Sequence, residues 1–420
     1  MTAAPASLGR LWALMLTVFV DMVGFLMILP VQPIYADKLG ASPWVITSMV
    51  SVYALAQLAT APFWGRLSDR HGRRPMLMLG VSISAVAYVV FGLACSPWAM
   101  ERVEAKALIG LLFLSRLVQG AGGATTGVVQ AYVADAIVPE ERAKALGWIT
   151  AATSAGVMLG PALGSLSAVL GPATPGLAAA LLCLVNLLFV RGWLPESASD
   201  EVRARAAGEP SRSLGHRMAE ILAHPRRPVA RLIWIYAVGM MAFMAINAIL
   251  ALYLQRRFAM TEKTIGYVYT FTGTISLVMR SIILGPAVRR FGERGVVRLG
   301  LGALALGYAL LPATGSLGAF AGVIVLLPIG TALLFPSTTS LVSRYAAAHE
   351  LGATMGVQQA WGGVARLVGP LWAGFAFQSL GIGSPFWIAS AAAAATALWA
   401  FGLEPPPRPR TLAPEGPRTA

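Results

Sequence analysis

Long apolar stretches recur along the whole chain, interrupted by proline, glycine or charged residues. A helix needs about 20 apolar residues to cross a hydrocarbon core of about 30 Å. By that measure about twelve spans are present, at residues 11–35, 43–65, 75–95, 107–134, 144–170, 174–193, 231–254, 263–288, 296–312, 317–343, 351–379 and 383–403. The runs are continuous, whereas the strands of a transmembrane barrel alternate between apolar and polar residues. The pattern predicts an all-α polytopic membrane protein.

The charges predict its orientation and partners. The chain is 57% hydrophobic and 12% charged, with a formal net charge of +14. With the N-terminus inside, 23 of the 32 Lys and Arg residues fall in cytoplasmic segments or at the cytoplasmic ends of spans, as the positive-inside rule requires. The excess of positive charge therefore indicates a multi-pass protein of the cytoplasmic membrane with both termini in the cytoplasm. We expect it to contact the lipid bilayer and no nucleic acid.

Cysteine and histidine placement argues against a metal site or an enzyme. Cys95 and Cys183 both lie in predicted spans, so a disulfide or metal framework is not expected. All four histidines lie in predicted loops, and no nucleophile, metal or nucleotide motif is found.

One long polar segment divides six spans from six. We predict four regions: an N-terminal six-helix bundle (1–193), a cytoplasmic linker (194–230), a C-terminal six-helix bundle (231–403) and a disordered cytoplasmic tail (404–420). Within the linker, "SLGHRMAEILAH" fits either a short amphipathic surface helix or a mobile connection.

The two halves are related by an internal repeat. "GRLSDRHGRR" at 65–74 aligns with "GPAVRRFGER" at 285–294, an offset of 220 residues. Further on, 141–161 aligns with 350–370 at an offset of 209. The same junctions recur in the same order, which indicates a parallel duplication of a six-helix unit.

Four stretches carry a family resemblance. They are "DMVGFLMILPVQPIY" in the first span, "GRLSDRHGRRP" after the second, "SRLVQGAGGA" in the fourth and "GVMLGPALG" in the fifth. Together they resemble the major facilitator superfamily, and within it the drug:proton antiporter group that contains the bacterial tetracycline exporters. The resemblance implies two pseudo-twofold-related six-helix bundles that work by alternating access. It also implies that the proton motive force drives transport without a cofactor.

The loop motif after the second span supplies the predicted gate. Its glycines allow tight backbone geometry at the helix end. Basic residues at a membrane surface can also set the orientation of the protein and contact lipid headgroups. We prefer this second role for Arg66 and Arg74. The resemblance implies that Asp69 faces the N-terminal end of the eleventh span and that Arg73 pairs with Asp135. The predicted gating residues are Gly65, Asp69, Arg70, Gly72, Arg73 and Asp135.

A stripe of small residues marks the fifth span. Gly156, Gly160 and Gly164 recur every fourth residue, a spacing that lets another helix approach closely, and Pro161 lies beside them. The stripe fits simple helix packing at least as well as a conformational role.

Asp21 is the only acid deep within a predicted span. It lies about 15 Å past Arg10 at 1.5 Å per residue, and Arg116 reaches a similar depth from the other side. Burial disfavours the charged carboxylate and a nearby arginine favours it. These opposing effects can leave the carboxyl of Asp21 titratable at the working pH. The repeat places apolar Met241 and Val325 at the related positions, so the charges are not a requirement of the scaffold. We predict that Asp21 and Arg116 couple transport to protons.

Two further arginines and a set of amphipathic residues predict the substrate cavity. Arg280 and Arg366 have no acid within reach along the sequence and contact either substrate or helix carbonyls. The other predicted cavity residues are Tyr53, Gln57, Tyr236, Met240, Phe243, Asn247, Gln358 and Trp361. Three buried arginines against one aspartate favour an anionic, zwitterionic or neutral amphiphile as cargo.

The sequence therefore predicts a monomeric, proton-coupled exporter of a small amphipathic molecule, drug-like or lipid-like. A uniporter or symporter of an anionic metabolite or lipid is the first alternative. A membrane sensor that uses the scaffold without transport is the second.

Overall fold

The computed structural model describes residues 8–123, 125–197, 227–346 and 350–403. These residues form sixteen α-helices and no strand. The helices are α1 (Leu8–Ile28), α2 (Gln32–Lys38), α3 (Pro43–His71), α4 (Arg73–Ala94), α5 (Pro97–Arg102), α6 (Ala105–Gly122), α7 (Thr125–Ala136), α8 (Pro139–Ala168), α9 (Thr174–Trp193), α10 (Pro228–Phe258), α11 (Ile265–Val278), α12 (Leu284–Leu310), α13 (Leu317–Ile324), α14 (Leu326–Tyr345), α15 (Leu351–Ser379) and α16 (Ser384–Trp399).

Ten helical stretches in the described part of the chain are long and apolar enough to cross a membrane. One of them, Ile265–Ala313, has 49 residues and contains both the eighth and the ninth predicted spans. The eleventh predicted span is α15, whose 29 residues coincide with the predicted bounds but are too polar to count among the ten. The all-α polytopic class is confirmed.

Three predicted spans are interrupted in the structure: the first, the fourth and the tenth (317–343), which is divided at Val325 into α13 and α14. The first span (11–35) ends as α1 at Ile28 and resumes as α2, because Pro30 and Pro33 interrupt the backbone hydrogen bonding of a single helix. The fourth span (107–134) is divided into α6 and α7 around Gly123, where "GAGGA" has the lowest helix propensity of the segment. The second break positions the candidate site.

The internal repeat is visible in the backbone. Gly72 adopts φ 98°, ψ 157° between α3 and α4, and Gly292 adopts φ 67°, ψ 162° at a kink inside α12. These two glycines are the aligned positions of the repeat, and both adopt a positive φ that residues with a Cβ rarely tolerate. We call the face with these turns the terminal face, since α1 begins and α9 ends there; the loops around 39–42 and 259–264 lie on the opposite face.

The two halves meet through two pairs of helices, α3 with α15 and α8 with α11. Within the first half α1 packs on α8 and α4 on α9, and within the second α10 packs on α15 and α12 on α14. The predicted linker is described only up to Ser197 and again from Arg227, and α10 begins at Pro228, inside the predicted linker. The rest of the linker, including 213–224, and the tail at 404–420 lie outside the described residues.

Candidate transport site

Asp21 lies in the middle of α1, facing the break between α6 and α7. Its carboxylate accepts a hydrogen bond of 3.0 Å from the hydroxyl of Thr125, the first residue of α7. A carboxylate at the centre of a span costs about 2.5–3.5 kcal/mol, so a partner or a purpose is expected. The described residues give Asp21 one neutral hydrogen-bond donor and no ion pair. Such a carboxylate can gain and lose a proton without breaking a salt bridge.

The break beside Asp21 is held by polar side chains of α3. Gln57 donates to the carbonyl of Gly123 at 3.0 Å, and Thr60 and Trp64 donate to the carbonyl of Ala121 at 3.2 and 2.5 Å. A broken helix leaves carbonyls without their usual partners, and these donors replace the missing hydrogen bonds. Gln57, predicted as a cavity residue, therefore has a defined structural contact.

Arg116 is 2% exposed and does not contact Asp21. Its guanidinium donates to the side-chain oxygen of Gln32 and, at 2.5 Å, to that of Gln119. Gln119 in turn donates to the hydroxyl of Tyr88 at 2.7 Å. The expected pairing of Arg116 with Asp21 is therefore absent, because two nearer carboxamide oxygens match the planar fork of the arginine.

Sequence reasoning missed these partners of Arg116, although the sequence contained signals for them. Gln119 is three residues after Arg116, on the same face of α6, and Gln32 stands between two prolines at the end of an apolar span. Thr125, the partner of Asp21, directly follows the glycine-rich break.

Tyr53 on α3 connects the polar centres of the two halves. Its hydroxyl interacts electrostatically with Asp21, Arg116 and Arg366, and its ring stacks on Phe25 with centroids 4.9 Å apart. Because α3 and α15 form one of the two seams between halves, the predicted residues Asp21, Arg116 and Arg366 lie around one central region.

The second half presents two cations there. Arg366 on α15 and Arg280 both interact electrostatically with the hydroxyl of Tyr236 on α10. Arg280 lies in a π-helical turn, Met279–Ile283, between α11 and α12. Single π-helical turns occur frequently at functional sites. Within the described residues neither arginine forms a hydrogen bond or an ion pair, in contrast to Arg116.

Aromatic rings form a wall next to these cations. The ring of Phe335 on α14 contacts Tyr236 at 5.4 Å and Phe243 at 6.0 Å between centroids, and Trp234 packs on Trp361 at 5.1 Å. Met240 is buried in the same cluster as Tyr236.

The two remaining predicted cavity residues make contacts within the second half. Asn247 donates to the carbonyl of Phe243 on its own helix at 3.1 Å. Gln358 is fully buried and donates to the hydroxyl of Thr339 at 3.0 Å.

The loop motif forms a closed cluster at the terminal face. The Arg73 guanidinium contacts the carboxylates of Asp69 at 2.5 Å and Asp135 at 2.8 Å, and it donates to the hydroxyl of Ser68. Glu196, from the start of the predicted linker, accepts the backbone N–H groups of Arg73 and Arg74 at the beginning of α4. A carboxylate there satisfies free amides and the positive end of the helix dipole.

The other motif residues are less constrained. Asp69 pairs with Arg73, and its position facing the N-terminal end of the eleventh span stays a prediction. Arg70 is exposed. A Cβ added at Gly65 would meet nothing within 4 Å, whereas one at Gly72 would collide with the carboxylate of Glu196.

The glycine stripe of α8 packs against α1. A Cβ at Gly156 would lie 2.8 Å from that of Met22, and one at Gly160 would lie 2.8 Å from that of Leu26. At Gly164 it would collide with the backbone of Met27. The carbonyl of Pro161 lies against Gly266 of α11, so this part of α8 also belongs to the seam between the halves.

The halves are tied together at the opposite face. Lys38 pairs with Glu262 at 2.8 Å, Asp37 pairs with Arg256 at 3.3 Å, and Ser165 accepts from the backbone of Gly266 at 2.8 Å. No hydrogen bond or ion pair between described residues joins the halves at the terminal face. We call the Lys38–Glu262 and Asp37–Arg256 pairs the opposite-face latch.

The pKa of Glu262 in this latch is shifted by its surroundings. Burial opposes its ionisation, but the hydrogen bond from Lys38, with a backbone N–H and the charge of Lys263, holds the pKa of its carboxyl below its usual value. Glu262 is therefore ionised throughout the neutral range.

Two six-helix halves around a polar intramembrane centre, whose described residues tie them together at one face only, define a secondary transporter that works by alternating access. The model of the Major Facilitator Superfamily matches residues 14–290 and 232–419, and the chain belongs to that family.

Similar proteins agree with this assignment. Multidrug resistance protein 2 of Bacillus subtilis (strain 168) is 28% identical over 381 residues, 89% of this chain and 90% of the relative. Tetracycline resistance protein, class C, of Escherichia coli is 29% identical over 361 residues, 84% of this chain and 86% of the relative.

Solved structures share the fold. The nucleoside transporter NupG matches with a TM-score of 0.71 at 13% identity, over 94% of this chain and 98% of its own. The human organic anion transporter MFSD10 (TETRAN) matches with a TM-score of 0.66 at 24% identity, over 94% of this chain and all of its own.

Proposed function

We propose that this protein exports a small amphipathic molecule from the cytoplasm or the inner leaflet, in exchange for protons. Family membership and similarity, over 89% and 84% of the chain, to proteins named for multidrug and tetracycline resistance support this function, since export protects a cell from a toxic molecule. The observation that carries proton coupling is Asp21, an intramembrane carboxylate to which the described residues supply a single, neutral hydrogen-bond donor. We place the terminal face in the cytoplasm, in agreement with the distribution of Lys and Arg.

Helix α7 offers a connection from the proton site to the gate. It begins with Thr125, which donates to Asp21, and near its end carries Asp135, which pairs with Arg73. The two residues are about 15 Å apart along the helix at 1.5 Å per residue. The break at Gly123 separates α7 from α6, so α7 can shift as a short rigid body. Protonation of Asp21 weakens its bond from Thr125 and thereby biases the Arg73–Asp135 pair.

The proton is the only additional reactant in this scheme. Protonation from outside favours one orientation of the bundles and release of cargo, and deprotonation inward favours the other. We propose that the transporter acts as a monomer within the bilayer, with the proton motive force in place of a cofactor.

The test is proton movement in reconstituted vesicles. A panel of anionic, neutral and cationic aromatic amphiphiles is added to wild type, Asp21→Asn and the surface control Glu101→Gln, and an entrapped pH-sensitive dye records proton flux. We expect at least one member to drive proton movement in wild type and in the control, with a loss of at least tenfold in Asp21→Asn. Equal flux in Asp21→Asn, or no flux with any member, contradicts the proposal.

A further inference from the structure

Ionic partners are distributed unevenly within this protein. The described ion pairs lie at the membrane faces, in contacts such as Arg73–Asp135, Arg344–Glu293 and Lys38–Glu262. Mid-membrane, Arg280 and Arg366 form no hydrogen bond or ion pair with any described residue. An unpaired cation within the membrane-spanning part of a protein faces a water-filled space or forms part of a binding site for an anion.

Both arginines lie close to tyrosines of the central region. Arg366 lies close enough to interact with Tyr53 of the first half and Tyr236 of the second, and Arg280 interacts with Tyr236. The side chain of Arg280 is exposed, although it lies within a membrane-spanning stretch beside that tyrosine. Its π-helical turn displaces the helix at this point, a distortion typical of binding and catalytic positions.

Two further hydrogen-bond donors lie on α10 and α15, the helices that carry Tyr236 and Arg366. The indole N–H groups of Trp234 and Trp361 are buried without a partner. Guanidinium and indole nitrogens donate and cannot accept, so they recognise acceptors and anions and discriminate against ammonium groups. The rings of Tyr236, Phe243 and Phe335 supply a planar apolar surface beside them.

Arg116 does not share this property. It is 2% exposed and donates to Gln32 and Gln119, and its Nη2 group, which has no partner among the described residues, is buried and therefore not accessible to a ligand in this conformation. The positive charge available to cargo therefore belongs to the second half.

We propose, on the basis of the function proposed above, that the cargo is an aromatic organic anion. Its acidic group lies between Arg280 and Arg366, and its planar body lies on the aromatic wall of Tyr236, Phe243 and Phe335. Export of a monoanion against one entering proton moves two elementary charges in the same sense, whereas a neutral cargo moves one. An inside-negative potential therefore accelerates export of the anion more than that of its neutral isostere.

The test compares three probes that share one ring: naphthalene-2-sulfonate, naphthalene-2-sulfonamide and a naphthylmethyl-trimethylammonium salt. Equilibrium binding to the purified full-length protein is measured for wild type, Arg280→Gln, Arg366→Gln and the control Arg289→Gln. Arg289 is an exposed arginine of α12 about two turns beyond the π-helical turn. We expect the sulfonate to bind at least tenfold more tightly than the other two probes. Either site variant removes that preference, while sulfonamide binding and the control stay within twofold of wild type.

Two results overturn the anion proposal. One is sulfonate binding no tighter than sulfonamide binding in wild type, and the other is an equal loss for all three probes in the arginine variants, which indicates misfolding or a structural role. Potential-driven uptake of the sulfonate into wild-type vesicles with no pH gradient provides a second measurement. If Asp21→Asn binds the sulfonate normally but moves no protons, both the export function and the anionic cargo are supported. If wild type moves protons only with the cationic probe, the export function is supported and the anion proposal fails.

Discussion

Each copy of the internal repeat has an ion pair at the terminal face. The two ion pairs use the same pair of aligned positions, but with the charges exchanged. In the first half Arg73 pairs with Asp135 at 2.8 Å, and in the second half Glu293 pairs with Arg344 at 3.1 Å. The offsets of 220 and 209 residues carry Arg73 onto Glu293 and Asp135 onto Arg344. The scaffold therefore requires an attraction between these two helix ends, and either sign provides it.

Burial separates the two copies. The side chain of Arg73 is 6% exposed and contacts two carboxylates, whereas that of Arg344 is 46% exposed and contacts one. Toward the middle of the membrane the copies differ in kind, since the first carries Asp21 and the second carries two arginines that form no hydrogen bond or ion pair with any described residue. The duplication thus kept a common scaffold, and the halves diverged where we propose that protons and cargo bind.

The largest effect is expected from breaking the first pair. Arg73→Gln leaves two carboxylates, Asp69 and Asp135, without their cation, and loss of one partner of a buried pair costs about 3–5 kcal/mol. We expect a decrease of that size in the free energy of unfolding in detergent micelles, followed by tryptophan fluorescence. The control Arg66→Gln changes an exposed arginine bonded only to its own helix and should stay within about 0.5 kcal/mol.

Reversing the pair sharpens the comparison. The double variant Arg73→Asp with Asp135→Arg copies the charge order of the second half, and we expect it to recover at least half of the stability that Arg73→Asp alone loses. Recovery is partial because Asp69 keeps its carboxylate beside position 73. No recovery would show that the sign of the charge matters in the first half.

A smaller effect is expected from the pair in the second half. Arg344→Gln removes a half-exposed partner, and ion pairs of this kind contribute about 0–1 kcal/mol. Glu293 keeps its 2.5 Å hydrogen bond from Ser340, which limits the loss further. The same unfolding assay should therefore rank Arg344→Gln well below Arg73→Gln; equal losses would contradict the argument from burial.

The smallest effect is expected at the opposite-face latch, which joins the two copies. Lys38→Met removes the cation that Glu262 contacts, and Lys38 is half-exposed, so we expect a twofold to fivefold increase in the population open at this face. The readout is the rate at which a membrane-impermeant thiol reagent modifies Thr47→Cys, a position sealed at the seam, with Cys95 and Cys183 replaced by alanine.

The pH dependence of this prediction follows from Glu262. The pKa of Glu262 is lowered in the folded state. The Lys38–Glu262 pair therefore stabilises the closed opposite face fully above the ordinary glutamate pKa of about 4.3, and this stabilisation is lost as the pH falls through the lowered pKa. The difference between Lys38→Met and wild type should stay constant from about pH 5 to 8 and shrink only in stronger acid. The control Lys263→Met removes a nearby charge without the hydrogen bond and should change the rate less.

The helical class, most span bounds and the internal repeat could be predicted from sequence. Continuous apolar runs determined the helical class and most span bounds, and α15 begins and ends where predicted. The aligned glycines 72 and 292 predicted a repeated turn, which the backbone angles bear out. Family membership followed from short motifs that the family model also matches.

The choice of partners could not be predicted in the same way. Arg116 and Asp21 share a depth, but depth along a helix says nothing about direction around it, and Arg116 contacts Gln32 and Gln119 instead. Glu196 and Glu262 gave no signal as isolated acids in polar loops, yet each holds a defined contact.

The sequence by itself predicted about twelve membrane-spanning helices, two halves that are copies, and one carboxylate deep within a span. Only the tertiary structure decided which charges are paired, which face is tied, and which arginines have no partner among the described residues. Transfer into a membrane depends on the local composition of one segment, so it can be read along the chain. Pairing depends on the packing angle and rotation of segments far apart in sequence, so it exists only once the helices have assembled.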